Sequence, residues 1–172
     1  IEQTEFSQAG SAAQTWINGE EAKLLGFEFE GGKTFDFLHP NLRRLSLQTN
    51  VTYFPISETN VPTAIVGGLE TQQTNTKRGA ADVPGFIVNA ALEYTIPDTM
   101  TARLLYSTVG STLIRAGALG LPDTFEKRYD VLDAVLTIPL QRWFDAPVSL
   151  QLSAENITND QIRRVQGDLE TY

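Results

Sequence analysis

The sequence contains no cysteine and a single histidine. Without cysteine the chain has no disulfide framework, no thiolate metal site and no cysteine nucleophile. His39 stands in the turn-forming stretch His39-Pro40-Asn41, and no second histidine is present to share a metal or to serve a serine nucleophile. We therefore expect His39 to be a solvated turn residue, and we expect no catalytic residue, no metal and no cofactor.

Long apolar runs and an excess of basic charge are also missing. No apolar stretch approaches the roughly 18 residues that a membrane-spanning helix requires. The chain carries 13 Lys and Arg against 21 Asp and Glu, a net charge of -8, which argues against a general nucleic-acid-binding surface. With 41% hydrophobic and 20% charged residues, the chain is also not a disordered tail.

What the sequence does contain is alternation of apolar and polar residues, clearest over residues 86–107. Phe86–Ile96 carries an apolar side chain at every even position, with polar residues such as Glu93 between them. Pro97-Asp98 predicts a tight turn, after which the alternation resumes. The stretch therefore predicts a hairpin of about ten residues per arm, the length of a tilted strand that crosses a bilayer.

The same alternation predicts other strands, with a loop at residues 7–20. Gly31 and Gly32 are expected to form a bulge or bend, because Phe35 and Phe37 resume the apolar parity after them. We expect the first and last of these strands to be the edges of the sheet. The predicted strands are residues 1–6, 22–37, 44–57, 132–138 and 148–154.

The links between predicted strands alternate in length. Short links at residues 39–41, 97–98 and 143–147 alternate with long polar links at 58–85, at 110–128 and after Asn156. An up-and-down transmembrane barrel has this asymmetry, with long extracellular loops and short periplasmic turns. We therefore expect one continuous antiparallel sheet, paired in sequence order, through the strands that contain Leu45, Leu92, Leu104, Leu136 and Leu152.

Aromatic residues are expected near both ends of these strands, as two membrane interfaces would favour. Phe35, Phe37, Tyr94, Trp143 and Phe144 fall near the short turns, and Tyr53, Phe54, Phe86 and Tyr129 fall near the long loops. A soluble β-sandwich would instead bury the apolar parity of the strands and place these rings at the ends of its core.

Polar residues of opposite parity form the first candidate site. Paired carboxylates could serve acid–base chemistry or a metal, but strand parity puts them on a polar face together with amide and guanidinium partners. We therefore interpret them as a hydrogen-bonded network facing a wet lumen. Its members are Glu28, Glu30, Gln48, Asn50, Asn89, Glu93, Arg103, Asp133, Gln151 and Glu155.

A charged run in the link at residues 110–128 forms the second candidate site. On the barrel interpretation it would lie in an extracellular loop, where it could bind ligand or simply be solvated. The candidate ligand-binding residues are Arg115, Asp123, Phe125, Glu126, Lys127 and Arg128. The neighbouring run Gly117-Ala-Leu-Gly-Leu-Pro122 lacks a following Lys-Ser/Thr and is expected to be a flexible loop, not a phosphate cradle.

Five stretches, in order along nearly the whole chain, resemble the C-terminal part of the barrel of a TonB-dependent outer-membrane receptor, with the Oar-like branch the most similar. They are Glu20-Glu-Ala-Lys-Leu-Leu-Gly-Phe-Glu-Phe-Glu30, Leu47-Gln-Thr-Asn-Val-Thr-Tyr53, Pro84-Gly-Phe-Ile-Val-Asn-Ala-Ala-Leu-Glu-Tyr94, Leu121-Pro-Asp-Thr-Phe-Glu-Lys-Arg128 and Leu150-Gln-Leu-Ser-Ala-Glu-Asn-Ile-Thr-Asn-Asp160.

The resemblance implies a bacterial outer-membrane receptor that imports a scarce ligand and is not an enzyme. Its partners would be the remainder of the same barrel and its plug domain, the energy-coupling TonB complex reached through a missing N-terminal part, and lipid and lipopolysaccharide, with no nucleic acid. The chain starts at Ile1, without Met. We expect residues 1–172 to be a partial barrel domain that lacks the plug and the final strand.

The expected fold class is thus all-β: an antiparallel up-and-down transmembrane β-barrel segment that forms part of a larger barrel. Two alternatives from other classes stay open. One is a small stand-alone outer-membrane barrel with a structural or adhesive role, and the other is a soluble β-sandwich binding module.

Overall fold

The computed structural model describes residues 2–6, 12–16, 21–61, 64–66, 69–71, 74–144, 146–167 and 169–171. The all-β prediction is confirmed, with antiparallel pairing throughout. No helix among these residues is long and apolar enough to cross a membrane. The strands are β1 (Glu2–Phe6), β2 (Ala12–Trp16), β3 (Glu21–Thr34), β4 (Leu45–Asn60), β5 (Ala64–Val66), β6 (Leu69–Thr71), β7 (Lys77–Arg78), β8 (Phe86–Ile96), β9 (Met100–Val109), β10 (Thr112–Arg115), β11 (Thr124–Glu126), β12 (Tyr129–Pro139), β13 (Ser149–Ala154), β14 (Arg164–Gln166) and β15 (Leu169–Thr171).

The largest sheet has seven strands, six of them in the order β13-β12-β9-β8-β4-β3, with β7 paired to the far end of β4. The predicted sheet through Leu45, Leu92, Leu104, Leu136 and Leu152 is therefore confirmed. Within the described ranges no strand pairs with the outer edge of β3 or of β13, so the sheet is open.

The register fixes what each face of this sheet carries, because residues directly opposite each other point to the same side. Leu47 pairs with Leu92, Leu92 with Leu104, and Leu104 with Ala134, which gives an apolar row across four strands. One step along, on the other face, Gln48 pairs with Ala91. Alternation in the sequence thus becomes an apolar face and a polar face.

A β-bulge lies nearer the start of β3 than predicted. Gly31 and Gly32 pair regularly with Thr49 and Gln48, so the bulge expected there is wrong. The register instead shifts between Leu25 and Phe27, where Gly26 opposes two residues, Phe54 and Pro55. Proline cannot donate to a ladder and is tolerated at a bulge. A Cβ on Gly26 would lie 2.7 Å from the Phe54 ring, which explains glycine there.

Two predictions near the first strands are corrected. β2 lies inside the predicted loop at 7–20 and pairs with β1 as a separate hairpin, while residues 7–11 and 17–20 lie outside the described residues. Small, polar residues in β2 concealed its strand character. Because β1 pairs only with β2 among the described strands, the edge of the large sheet is β3.

The link after β3 is a turn, and not a continuation of the strand to Phe37. Phe35–Phe37 and Pro40–Leu42 form two 3-10 turns. The ring nitrogen Nδ1 of His39 accepts a hydrogen bond from the backbone N–H of Asn41 at 3.2 Å, which caps the second turn. His39 is therefore a turn residue, as predicted.

The long links contain structure that their composition conceals. β10, β11, β14 and β15 form a four-stranded sheet at one end of the large sheet. We call residues 61, 74–85, 110–128 and 161–167 the cap. All the buried apolar residues of the described chain lie in it: Val61, Leu113, Ala116 and Ala118. The segment Gly117–Pro122, predicted as a flexible loop, starts inside this core, where a Cβ on Gly117 would clash with the Leu121 carbonyl oxygen.

Candidate functional site

The polar face of the large sheet gathers most of the predicted network. The Arg103 guanidinium lies 2.8 Å from the Glu93 carboxylate, directly opposite it in the register. Asn50 donates to Glu28 at 2.9 Å, and Ser107 donates to Asn89 at 2.8 Å. These pairs connect β3 to β4 and β8 to β9 through side chains as well as backbone, so the polar face is cross-linked.

An open groove of about 700 Å³ runs along this face. Its polar lining includes Glu30, Gln48, Asn50, Asn89, Ser107 and Asp133. Gln151 pairs with Thr137 beyond the groove, and Glu155 follows the end of β13. The predicted network is thus a groove with paired residues at its margins, and not one contiguous cluster.

A second cavity, of about 650 Å³, lies where the cap meets the end of the large sheet. We call it the cap cavity. Thr59 and Val109 line it from the large sheet, and the cap lines it with Ala80, Ala81, Asp82 and Pro84 and with residues of β10, β11 and β14. Two arginines and two carboxylates line it, namely Arg115, Arg164, Glu126 and Asp82.

A bulge in β10 brings Arg115 into this cavity. The register of β10 with β11 shifts between Leu113 and Arg115, so that Arg115 pairs with Thr124. If β10 alternated strictly through Ile114 without a bulge, Arg115 would lie on the same face as Leu113 and away from Glu126. The cap cavity is therefore lined by a guanidinium that strict alternation would not place there.

The six predicted ligand-binding residues do not form one site. Arg115 and Glu126 line the cap cavity, and the Glu126 carboxylate lies 3.4 Å from the Nε of Arg164. Phe125 pairs with Leu113 and Val165 on the opposite face of the small sheet. Lys127 is exposed next to β11, outside the lining of the cavity.

Asp123, which we expected in a ligand-binding or solvated loop, is instead buried and ion-paired. Its carboxylate lies 2.9 Å from the Arg78 guanidinium and accepts the backbone N–H of Gly117 at 2.7 Å. Arg78 also donates to the backbone carbonyl of Asn75. Burial lowers the pKa of Arg78 from its ordinary value, and the charge of Asp123 opposes that shift. The pair joins two long links inside the cap.

The sequence did not predict a structural or functional role for Arg78. It lies in a polar segment without periodicity, and its partner is 45 residues away. No local pattern reports such a pair. The buried Arg–Asp contact is visible only once β7 pairs with the end of β4 and the two links meet.

Arg128 takes a different position, on the rim of the apolar face. Its guanidinium lies 2.8 Å from the Asp130 carboxylate and sits 5.8 Å from the centre of the Phe86 ring. Tyr106 donates to the same carboxylate. Arg128 is therefore held against an aromatic ring and outside the cap cavity.

Neither a metal site nor a known relative assigns a function to these residues. Among the described residues, no group of three or more His, Cys, Asp or Glu side chains is arranged to hold a metal ion. Comparisons with models of known protein families, with curated proteins and with solved structures found no match.

Proposed function

We propose that this chain forms part of the wall of a bacterial outer-membrane β-barrel of the TonB-dependent receptor type, which takes up a scarce ligand. The observation that carries the proposal is the uncovered apolar face of the large sheet. Phe27, Phe29, Leu104 and Leu152 on that face are between 45% and 75% exposed. A water-soluble domain normally buries such a contiguous face, whereas lipid would cover it in a membrane.

The polar face supports the same proposal. In an up-and-down barrel, outward apolar residues alternate with inward polar ones. Leu47 and Gln48 show the alternation on β4, and Leu92 and Glu93 show it on β8. The groove on the polar face would then open into the lumen, where a plug domain from the rest of the polypeptide would face it.

Aromatic residues at both ends of the strands add further support. Tyr53 pairs with Phe86 at one end, while Trp143 lies in the turn after β12 at the other end and is 71% exposed. Amphipathic rings favour the two membrane interfaces. On this proposal the cap lies outside the cell, and the aromatic residues at that end of the strands would contact lipopolysaccharide.

The open edges of the sheet suggest what completes the barrel. β3 has 14 residues and β13 has six, and within the described ranges their outer edges have no strand partner. Lipid cannot satisfy free backbone N–H and C=O groups. The missing partners would therefore be other strands of a longer polypeptide, which favours a large barrel over a small stand-alone one.

A soluble sandwich is less well supported. It would need a second sheet packed on the face that carries Phe29 and Leu104. Within the described ranges the small sheet, β10-β11-β14-β15, lies at the end of the large one instead, and its apolar residue Leu113 is buried in the cap.

Separation of the membranes of a Gram-negative host that produces the full-length protein tests the barrel part of the proposal. We expect the protein in the outer-membrane fraction, resistant to extraction with alkaline carbonate. Recovery in the soluble fraction would contradict the proposal.

The transport part needs its own experiment, because a barrel can also be structural. Detergent-solubilised full-length protein should be retained on the immobilised periplasmic domain of TonB from the same bacterium. Retention would support energy-coupled uptake. Outer-membrane location without retention would instead favour a barrel with a structural or adhesive role.

A further inference from the structure

We propose that the cap cavity binds a small zwitterionic solute, with a carboxylate and an ammonium group as in a short peptide. The inference rests on the proposed function, since it assigns a ligand class to the outward end of the barrel. It concerns the cavity lined by Arg115, Arg164, Glu126 and Asp82.

The anionic end of the ligand is assigned to the two guanidinium groups. Arginine offers a planar set of donors that matches a carboxylate with two parallel hydrogen bonds. Arg115 reaches the cavity only because of the bulge at Ile114, and bulges often re-aim a side chain next to a binding site. Arg164 lines the cavity from β14, two strands away in the small sheet.

The cationic end of the ligand is assigned to the two carboxylates. Glu126 lies on β11, between the strands of Arg115 and Arg164. Asp82 lies on the segment before β8, where its φ of 60° is unusual for a residue other than glycine. Its backbone N–H donates to the Leu113 carbonyl at 2.8 Å, which holds this conformation in place. Two guanidinium groups and two carboxylates thus line one cavity, with Glu126 between the two arginines.

The ion pair inside the cavity is a contact that a ligand would share. Arg164 and Glu126 are 3.4 Å apart, with side chains that are 59% and 22% exposed. A guanidinium has five N–H donors, so Arg164 can bind a ligand carboxylate beside Glu126 while the ligand's ammonium group pairs with Glu126. A volume of about 650 Å³ fits a ligand of two or three amino-acid residues.

The experiment uses detergent-solubilised full-length protein and three peptide pools. One is an equimolar pool of unmodified tripeptides, the second is the same pool N-acetylated, and the third is the same pool amidated at the C-terminus. Retained peptides are measured by mass spectrometry. We expect retention of the unmodified pool and a loss of about tenfold or more on removing either charge, because charge-assisted hydrogen bonds are the strong ones.

Two variants connect that result to the cavity. Arg115→Gln should lower retention of the unmodified pool about tenfold or more, since it removes the charge of a guanidinium. Arg142→Gln, an exposed arginine in the turn after β12 at the opposite end of the sheet, should leave retention unchanged. Thermal unfolding of each variant checks that it is folded.

Equal retention of all three pools, or no retention at all, would overturn the inference, and neither result depends on a variant folding. Loss of retention in Arg142→Gln equal to that in Arg115→Gln would also overturn it. The membrane fractionation described above is independent of peptide binding. A protein found in the outer membrane that retains no peptide would therefore refute the ligand class and leave the barrel proposal standing.

Discussion

The large sheet and the cap differ in whether their apolar side chains are buried. In the cap, Val61, Leu113, Ala116 and Ala118 are buried, and an ion pair between Arg78 and Asp123 is enclosed with them. In the sheet, apolar side chains such as Phe29 and Leu104 stay exposed. The cap supplies its own core, whereas the sheet is held by backbone ladders and depends on its surroundings to cover one face.

The largest effect is expected from breaking the ion pair in the cap. Removing one partner of a buried pair leaves an uncompensated charge and costs about 3–5 kcal/mol, so Arg78→Ala should release the cap. Native-state hydrogen exchange of the full-length protein should show loss of protection at the Gly117 amide, while β8 and β9 keep theirs.

The control is the exposed pair between Lys23 and Glu21, whose side chains are each 65% exposed at a separation of 3.5 Å. Lys23→Ala should cost less than about 1 kcal/mol. Equal effects of Arg78→Ala and Lys23→Ala would show that the cap has no core of its own.

The next effect separates the two faces of the sheet. Leu92→Arg, mid-strand on the apolar face, should cost about 2–4 kcal/mol in lipid, whereas Gln48→Arg on the polar face should cost far less. Gln48 is the polar-face position chosen for the control, because an Arg at the neighbouring polar-face position 93 would face Arg103. Folding of both variants of the full-length protein into vesicles measures the difference. Equal tolerance would remove the distinction between the faces.

A smaller effect comes from glycines in the two regions. Gly117→Ala forces a Cβ against the Leu121 carbonyl oxygen in the cap, an overpacking that should cost about 1–3 kcal/mol. Gly31→Ala in β3 meets nothing within 4 Å and should change stability by less than about 0.5 kcal/mol. Hydrogen exchange of the cap and of β3 compares them. If Gly31→Ala were the more damaging change, the packing described for the cap would be wrong.

The smallest effect is expected on the polar face. Glu93 and Arg103 are 34% and 46% exposed, so solvent screens their pairing. Glu93→Gln should therefore cost less than about 1 kcal/mol, and the cost should shrink further as salt is added. A salt-independent loss of several kcal/mol would indicate that the groove is closed to water.

The difference between the sheet and the cap also determines what could be predicted from the sequence. Strand faces follow from a period of two, so the common face of Glu28, Asn50 and Asn89 could be predicted from parity. The order of the sheet could be predicted from the links, because strands that are neighbours in sequence usually pair. The cap could not be predicted, because the pairing of Arg78 with Asp123 spans 45 residues and leaves no periodic signal. The face of Arg115 could not be predicted either, because the one residue inserted at the Ile114 bulge reverses the face on which Arg115 lies.

The most direct test of the central claim is lipid contact on alternate residues. The 172 residues contain no cysteine, so in a cysteine-free version of the full-length protein a single introduced cysteine can carry a fluorescent label at a chosen site. Leu92→Cys and Ala91→Cys of the full-length protein, labelled and placed in vesicles of brominated lipid, report the two faces of β8. The account predicts strong quenching at position 92 and little at position 91. Equal quenching at both positions, or none at either, would contradict it.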